Sequence, residues 1–192
     1  MSHYYNENAQ AFFEGTVAAD MSANYTEFLA RLPKGSYLLD AGCGSGRDAK
    51  AFMEKGYKVD AIDASKEMCR LASNYTGLEV KELRFQDIDI KEVYDGIWAS
   101  ATLLHVPSKE MGLVLKKMNI ALKPQGILYA SFKYGEFEGE RNGRYFHDLK
   151  EEKAKAFFTQ AGFKVVNQWI TGDVREGRGD EKWLNILCEK PE

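Results

Sequence analysis

Three glycines at alternate positions form the stretch of this 192-residue chain that is best suited to bind a ligand. Gly42, Gly44 and Gly46 follow Asp40 and directly precede Arg47. Because glycine has no Cβ and accepts positive φ values, a ligand can lie directly against the main chain of such a turn. Where the turn also begins a helix, the unpaired N–H groups of the first helical turn point toward the same place. The pattern therefore predicts a strand, a glycine turn and a helix that bind a nucleotide-like ligand.

A second carboxylate follows the next predicted strand. Asp63 ends the largely apolar positions 57–62, one strand after the glycine turn. In doubly wound sheets an acid at this point accepts hydrogen bonds from the hydroxyl groups of a ribose. Each of two such charge-assisted bonds contributes roughly 1.5–3 kcal/mol. We therefore predict that Asp63 binds ribose, and that Ser65 caps the helix that follows.

The glycine spacing argues against a dinucleotide. The dinucleotide fingerprint is Gly-x-Gly-x-x-Gly, whereas here the third glycine comes one residue early and Arg47 stands where that fingerprint has glycine. Asp40, ahead of the turn, suits a ligand that carries an ammonium group better than one that carries a diphosphate. At these residues the chain resembles the class I S-adenosylmethionine-dependent methyltransferases, whose first motif is acidic-x-Gly-x-Gly-x-Gly.

The resemblance implies S-adenosylmethionine as cofactor and assigns roles to further residues. It implies that Asp87 accepts from the adenine amine, with Asp89 as the competing choice, and that Ile88 covers the ring. Members of the family that methylate adenine or glutamine amines carry Asn-Pro-Pro-Tyr after the fourth strand, whereas this chain has Ser-Ala-Thr-Leu, which weighs against those activities. The predicted cofactor-binding residues are Asp40, Gly42, Gly44, Gly46, Arg47, Asp63, Ala64, Met68, Asp87, Ile88 and Ser100.

Catalytic residues are harder to predict for methyl transfer. Holding two reactants in line can lower a barrier by about 7–11 kcal/mol, and a base is needed only when the nucleophile keeps its proton. His105 and His147 are the candidates for a base, with a loop or core position as the alternative for each. Arginines at 141, 144, 175 and 178 could bind an anionic acceptor or be solvated loop charges. The predicted substrate-binding residues are Tyr5, Arg144, Tyr145, Arg178 and Trp183.

Two groups within the family share shorter phrases with the chain. The Gly-Cys-Gly-x-Gly-Arg-Asp turn resembles tellurite-resistance methyltransferases, which act on small oxyanions. Positions 94–107 and 143–146 resemble small bacterial methyltransferases without an assigned acceptor. The first likeness is confined to the cofactor half, so the acceptor is predicted only as a small molecule, with an anion of the tellurite type among the candidates.

The element pattern that must position these residues is an α/β sheet. We predict a Rossmann-like, seven-stranded methyltransferase sheet that is mostly parallel, with an antiparallel C-terminal hairpin and helices on both faces. Residues 1–192 form one domain, in which helical positions 4–32 lie within an N-terminal lid at 1–33 and residues 34–192 form the core. Strands are expected at 78–85, 94–100 and 127–132, a loop at 133–147, a helix capped by Ser108 and a helix capped by Asp148 with Glu151.

Composition excludes several classes of function. A formal net charge of −3 argues against general nucleic-acid binding, which needs a basic face. The three cysteines and three histidines have no metal-ligand spacing, and the odd cysteine count fits a reducing compartment. The chain shows no signal pattern and no apolar run near 20 residues. We expect a cytoplasmic monomer or homodimer that binds no metal, membrane or nucleic acid.

Two other functions stay open at this point. An NAD-dependent oxidoreductase is disfavoured by Arg47 and by the predicted C-terminal hairpin. A non-catalytic S-adenosylmethionine-binding module that acts through a protein partner would keep the same cofactor residues and would need no acceptor pocket.

Overall fold

The computed structural model describes residues 2–192 and centres on a twisted seven-stranded sheet. Nine strands are present in this part of the chain: β1 (Tyr37–Ala41), β2 (Lys58–Asp63), β3 (Lys81–Glu82), β4 (Tyr94–Ala99), β5 (Leu122–Lys133), β6 (Glu138–Arg141), β7 (Arg144–His147), β8 (Lys164–Gly172) and β9 (Lys182–Glu189). The helices are α1 (Ser2–Glu7), α2 (Ala9–Thr16), α3 (Ser22–Leu29), α4 (Arg47–Glu54), α5 (Lys66–Thr76), α6 (Ser108–Ala121) and α7 (Glu151–Gln160).

The strand order confirms the predicted fold class. The sheet runs β3-β2-β1-β4-β5-β9-β8, and β6 and β7 pair separately. The first five strands are parallel, whereas β9 lies antiparallel between β5 and β8. The order reverses at β1, because β2 lies on one side of it and β4 on the other. Such a reversal leaves a crevice at the carboxyl ends of these strands.

Both faces of the sheet are buried, because neighbouring residues of a strand point to opposite sides. Leu39 and Ile97 belong to one apolar cluster, which also contains Met118 of α6. Leu38 and Trp98 belong to the other cluster, which holds the aromatic side chains of α3 and α4. Helices therefore cover the two faces, as predicted. Within residues 2–192, none of the helices combines the length and the hydrophobicity of a membrane crossing.

The N-terminal segment is divided more finely than its sequence pattern indicates. Instead of one helical run over 4–32, it forms α1, α2 and α3, which are interrupted at Asn8 and across residues 17–21. Phe28 of α3 is fully buried in the core. The interruptions let the first two helices turn over the glycine loop while the third packs on the sheet.

Two predictions about the middle of the chain are wrong. The strand expected at 78–85 is reduced to the two exposed residues of β3, and Phe85–Asp87 forms a 3₁₀ turn. The loop expected at 133–147 contains the β6–β7 hairpin, whose connection is Asn142 and Gly143 with φ of 52° and 74°. Asn-Gly is the preferred pair for a two-residue hairpin connection, so the signal was present in the sequence.

Helix starts show which caps form. The Ser65 hydroxyl accepts a hydrogen bond from the Met68 N–H at 3.2 Å, which confirms that cap. Ser108 is instead the first residue of α6, and Pro107 takes the cap position. The expected capping box before α7 does not form, because Asp148 pairs with Arg141 at 2.9 Å and the helix begins later, at Glu151. The fifth strand also starts earlier than predicted, at Leu122 instead of position 127.

Candidate active site

A cavity opens where the strand order reverses, at the carboxyl ends of β1, β2 and β4. Its wall is completed by α1 and α2, by β5, β7 and β9, and by the segment after β8. Twelve of the residues predicted from the sequence lie in this wall: Gly42, Gly44, Arg47, Asp63, Ala64, Met68, Ser100, Tyr5, His105, Arg144, Arg178 and Trp183.

The glycine turn contributes bare main chain to the wall. Gly42 and Gly44 have φ values of 76° and 55°. A Cβ on Gly42 would lie 2.0 Å from Thr102 Oγ1, and one on Gly44 would lie 3.2 Å from Phe12 Cε1. A side chain at Gly42 would clash with Thr102, and one at Gly44 would press on Phe12 in a left-handed backbone conformation that glycine adopts most easily, so bare main chain forms the surface of the cavity there.

Asp63 holds the turn from the end of β2. Its carboxylate accepts hydrogen bonds from the Gly44 N–H at 3.0 Å and from the Ser65 N–H at 2.9 Å. Burial raises the pKa of Asp63, and these N–H donors partly oppose that rise. A buried carboxylate with free lone pairs is suited to accept hydrogen bonds from hydroxyl groups of a ligand.

Asp40 lies outside the cavity and supports the turn from below. It is 2% exposed, and its Oδ2 accepts from the Ala49 N–H of α4 at 3.0 Å. Burial and the neighbouring Asp48 raise the pKa of Asp40 well above its usual range. The acid of the motif therefore joins β1 to the helix N-terminus instead of facing the space where a ligand fits.

Arg47 belongs to a buried polar network. Its guanidinium pairs with Asp48, with Nε 2.7 Å from Oδ1. The Asp48 carboxylate also accepts from the Tyr25 hydroxyl and from Trp98 Nε1, and the guanidinium lowers its pKa against the effect of burial. Arg47 also donates to the Thr16 carbonyl at 3.3 Å, so the same network attaches the end of α2 to the glycine turn.

The structure does not bring five other predicted residues to the cavity wall. A Cβ on Gly46 would lie 2.7 Å from Thr76 Cγ2, so this glycine lets α4 approach α5. Asp87 is exposed and pairs with Arg84, while Ile88 is buried in the core. The others are Tyr145, whose hydroxyl bonds Glu138, and His147.

His147, the last residue of β7, lies outside the cavity wall. It is fully buried, and neither ring nitrogen has a hydrogen-bond partner among residues 2–192. Glu138 Oε2 lies 4.0 Å from Nε2, and burial lowers the pKa of the imidazole. This histidine packs edge-on against Phe157 and does not reach the cavity.

The opposite end of the cavity is built from side chains of distant segments. His105, after β4, has Nε2 2.9 Å from the Tyr5 hydroxyl of α1 and Nδ1 2.7 Å from the Tyr145 carbonyl of β7. Arg144 NH1 lies 3.4 Å from the same Tyr5 hydroxyl. Three elements that are far apart in the chain therefore meet at one tyrosine oxygen.

Arg144 is a cation enclosed by aromatic rings. Its Cζ lies 4.8 Å from the ring centre of Tyr4 and 5.1 Å from that of Phe146. The Nε atom is buried without a hydrogen-bond partner, and no carboxylate of residues 2–192 lies within ion-pair distance. The guanidinium therefore keeps its capacity to bind an anion.

The other cations at this end are already paired. Arg175 bonds both carboxylate oxygens of Asp173, which also accepts from Trp183 Nε1 at 3.1 Å. Lys133 Nζ lies 2.6 Å from Glu181, and Arg178 lies 3.9 Å from the same residue. Two carboxylates thus serve three cations, because Lys133 and Arg178 share Glu181.

Helices α1 and α2 border the cavity next to the glycine turn. The Asn6 side-chain oxygen accepts from the Ser65 hydroxyl at 2.7 Å and from the Glu67 N–H at 3.2 Å, at the start of α5. Phe12 lies against Gly44, and Thr16 accepts from Arg47. The first two helices are thus attached at several points around the glycine turn.

The comparisons with known proteins agree with this geometry. Residues 38–126 match a family model described as a methyltransferase domain. An uncharacterised methyltransferase of Staphylococcus carnosus is 28% identical over 149 residues, which are 73% of this chain and 72% of that protein. Together these matches support a class I S-adenosylmethionine-dependent methyltransferase.

Two further relatives extend the comparison. A ubiquinone biosynthesis O-methyltransferase of Coxiella burnetii is 29% identical over 104 residues, but this methyltransferase spans only 44% of that enzyme's length. A solved 1,6-didemethyltoxoflavin-N1-methyltransferase of Burkholderia thailandensis, with 1,6-didemethyltoxoflavin and S-adenosylhomocysteine bound, superposes with a TM-score of 0.78. The two chains are 21% identical, and the match covers 99% of this chain and 85% of that one, which shows a common fold.

The cavity of the methyltransferase fits its family's cofactor. The glycine turn leaves main chain where side chains would otherwise fill the space, and Asp63 presents acceptor oxygens beside it. Gly42, Gly44, Asp63, Ala64 and Met68 would hold S-adenosylmethionine, which supplies a methyl group activated by a positive sulfur when bound. The small residues after β4 border the adjoining space.

Several cavity residues of the methyltransferase were missed from the sequence. Tyr129, Ser131 and Lys133 occupy alternate positions of β5, and all three lie in the cavity wall. Because alternate residues of a strand share one face, the sequence could have predicted them as a group. Asp173 follows the end of β8 directly, but a lone acid in a charged loop gives no indication that it will be 2% exposed at its side chain. Thr102 carries no signal beyond its place after β4.

Proposed function

We propose that the protein transfers a methyl group from S-adenosylmethionine to a small anionic acceptor. Arg144 carries this proposal, because it is a cation in the cavity wall with no carboxylate partner in the described chain. Its planar guanidinium can bind a carboxylate, phosphate or similar anion through two parallel hydrogen bonds.

The aromatic surroundings of Arg144 strengthen its selectivity for an anion. Tyr4 and Phe146 remove water from the faces of the guanidinium, and cation–π contacts keep it in place. An anion that replaces water at its edge gains a charge-assisted hydrogen bond in a partly dry site, where such bonds are stronger. Arg175, Lys133 and Arg178 already have carboxylate partners and form the rim of the site.

The mechanism we propose depends mainly on positioning. Asp63 and the glycine turn orient the cofactor, Arg144 orients the acceptor, and the covering helices limit the entry of water. Ala101, at φ 51°, donates its N–H to Ser131 Oγ at 2.7 Å, which fixes the small-residue segment between the two binding regions. Alignment of the two reactants can lower the barrier by about 7–11 kcal/mol.

We also propose that the chain works as a single unit, with residues 1–33 as its lid. The contacts of Asn6 with α5 and of Thr16 with Arg47 support this role, because both reach elements that border the glycine turn. Opening of these few hydrogen bonds would widen the entrance for the cofactor, and their small number keeps the free-energy cost of local opening low.

Calorimetry with S-adenosylhomocysteine tests the cofactor part of the proposal. We expect micromolar binding to the folded wild type. The acceptor part is tested by incubating the protein with S-adenosylmethionine and a bacterial small-metabolite extract that has been separated by anion exchange. We expect S-adenosylhomocysteine release with retained, anionic fractions and not with the neutral flow-through.

Arg144→Gln then tests the anchor. Loss of a bidentate contact should lower turnover with the active fraction about 100-fold at unchanged affinity for S-adenosylhomocysteine. Arg84→Gln makes the same chemical change at an exposed arginine outside the cavity and serves as the matched control. Equal turnover by Arg144→Gln and the wild type would contradict an anionic acceptor, and turnover of any fraction would exclude a purely non-catalytic module.

A further inference from the structure

We infer that Tyr5 and His105 act together as the proton acceptor for the methylated group, an inference that rests on the proposed function. The acceptor is then an anion whose nucleophilic oxygen or nitrogen still carries a proton at neutral pH. A fully deprotonated oxyanion of the tellurite type would have no use for such a pair.

The hydrogen bonds of His105 fix its tautomer. Its Nδ1 lies 2.7 Å from the Tyr145 carbonyl oxygen. A carbonyl oxygen carries no proton, so Nδ1 must be the donor and Nε2 must hold the lone pair. The Tyr5 hydroxyl, 2.9 Å from Nε2, therefore donates its proton to His105.

This direction leaves the Tyr5 oxygen able to accept a second proton. Tyr5 lines the cavity, and Arg144 NH1 lies 3.4 Å from its hydroxyl oxygen. The Arg144 guanidinium stabilises the negative charge that develops on the Tyr5 oxygen while the Tyr5 hydroxyl proton moves toward His105. The anchor for the anion and the proposed proton acceptor thus share one small region.

His105 is neutral in this environment before an acceptor binds. Burial lowers its pKa to about 4, and the nearby Arg144 charge acts in the same direction. Arg144, Asp63, Tyr4 and Arg175 are the charged or titratable groups that bear on the pair, and burial raises the pKa of Tyr5. An anion bound at Arg144 opposes the lowering at His105, because it stabilises the imidazolium.

The proton and electron balance of the step is complete. The nucleophilic atom of the acceptor forms a bond to the methyl carbon, the carbon–sulfur bond breaks, and its electron pair stays on sulfur. The proton of the acceptor passes to the Tyr5 oxygen as the Tyr5 proton passes to His105 Nε2. Tyr5 ends unchanged, and His105 later releases one proton to solvent.

The pair could instead only attach α1 to the core, and the tests separate the two roles. Tyr5→Phe keeps the ring and removes the hydroxyl. Asn6→Ala removes the neighbouring attachment to Ser65 and Glu67 without touching His105. Tyr134→Phe removes a hydroxyl that bonds Glu151 outside the cavity, and is the matched control.

Nitrogen NMR of the imidazoles tests the pair without turnover. In wild type with S-adenosylhomocysteine, His105 should show a protonated Nδ1 and an unprotonated, hydrogen-bonded Nε2. The Nε2 shift should change in Tyr5→Phe and not in Tyr134→Phe. A protonated Nε2 in the wild type at pH 7 would overturn the inference, whatever the acceptor is.

Kinetics with the active anion-exchange fraction tests the proton step. We expect Tyr5→Phe and His105→Asn each to lower kcat about 100-fold or more, with the acceptor KM and the affinity for S-adenosylhomocysteine within threefold of wild type. The double variant should be no slower than either single one, because the two residues act as a unit. The kcat of Tyr5→Phe should rise with pH as solvent removes the acceptor's proton.

A purely attaching role gives the opposite pattern. Tyr5→Phe would then weaken S-adenosylhomocysteine binding as Asn6→Ala does, and kcat at saturation would stay near that of wild type. That result would overturn the inference and leave the proposed function standing. If wild type binds the cofactor but releases no product with any anionic fraction, the proposed function fails, while the NMR result still decides whether the pair exists.

Discussion

The two ends of the cavity are constructed in different ways. At the cofactor end, the contacts come from main chain and from Asp63, within one βαβ unit of neighbouring strands. At the proposed acceptor end, Tyr5, His105 and Arg144 come from α1, the segment after β4 and the β6–β7 hairpin, at sequence separations of up to 139 residues. The first end is a local structure, and the second exists only after the whole chain has folded.

This difference determines how easily substitutions can change the ligand specificity of each end. A main-chain turn has no side chain to exchange, so its ligand is set by the geometry of the fold. A site of side chains from three separate elements can change its specificity by single substitutions and leaves the sheet undisturbed. The relatives that match this chain carry different acceptor names, in keeping with such a division.

The largest expected effect tests the cofactor end. Asp63→Ala removes two charge-assisted hydrogen bonds to ligand hydroxyls, so S-adenosylhomocysteine binding should weaken about 100-fold, roughly 3 kcal/mol. Calorimetry measures the affinity, and the melting temperature without ligand shows whether the variant is folded. Affinity within threefold of wild type would contradict the ribose role.

Asp87→Ala is the matched control, because it removes a carboxylate that is exposed and paired with Arg84. From the position of Asp87 outside the cavity wall we expect little change in affinity. A tenfold loss would instead support the adenine role that the family resemblance implies for Asp87.

The same division separates what the sequence predicts from what it does not. The glycine turn and the Ser65 cap depend on residues within a few positions of one another, and Asp63 contacts the turn from 19 residues away within the same βαβ unit. The strand order could also be predicted, because alternating strands and helices leave few arrangements. These parts of the fold need no knowledge of distant contacts.

The acceptor end could not be predicted in this way. Nothing in the sequence around Tyr5 indicates that it will meet His105, because that contact depends on how α1 turns over the sheet. Arg141 and Arg144 are alike in sequence, yet one pairs with Asp148 and the other stays without a carboxylate partner in the described chain. In this region only the β6–β7 hairpin could have been predicted, because Asn142–Gly143 is a preferred pair for a two-residue connection.

A second, smaller effect distinguishes the glycines of the turn. Gly46→Ala places a Cβ 2.7 Å from Thr76 Cγ2 at a φ of 80°, and should lower the free energy of unfolding by about 2 kcal/mol. Gly46→Ala combined with Thr76→Ser removes that methyl group and keeps the Thr76 hydroxyl bonds, so part of the stability should return. Denaturant unfolding measures both variants. Absence of recovery would show that Gly46 is required for a reason other than the contact between α4 and α5.

The smallest effect concerns His147, on the hairpin that carries Arg144. Burial lowers the pKa of this imidazole in the folded protein, so below the unfolded value of about 6.5 the unfolded chain binds more protons than the folded one. The free energy of unfolding should therefore fall as the pH is lowered from 7 to 5. His147→Leu removes this contribution, so its stability should fall less steeply over the same range, with a difference of about 1 kcal/mol at pH 5. Melting curves at several pH values measure the slopes, and His3→Leu controls for loss of an exposed histidine on α1. Equal slopes for His147→Leu and wild type would mean that the ring reaches water or a proton acceptor when folded, and the hairpin would then be a looser support for Arg144 than its burial indicates.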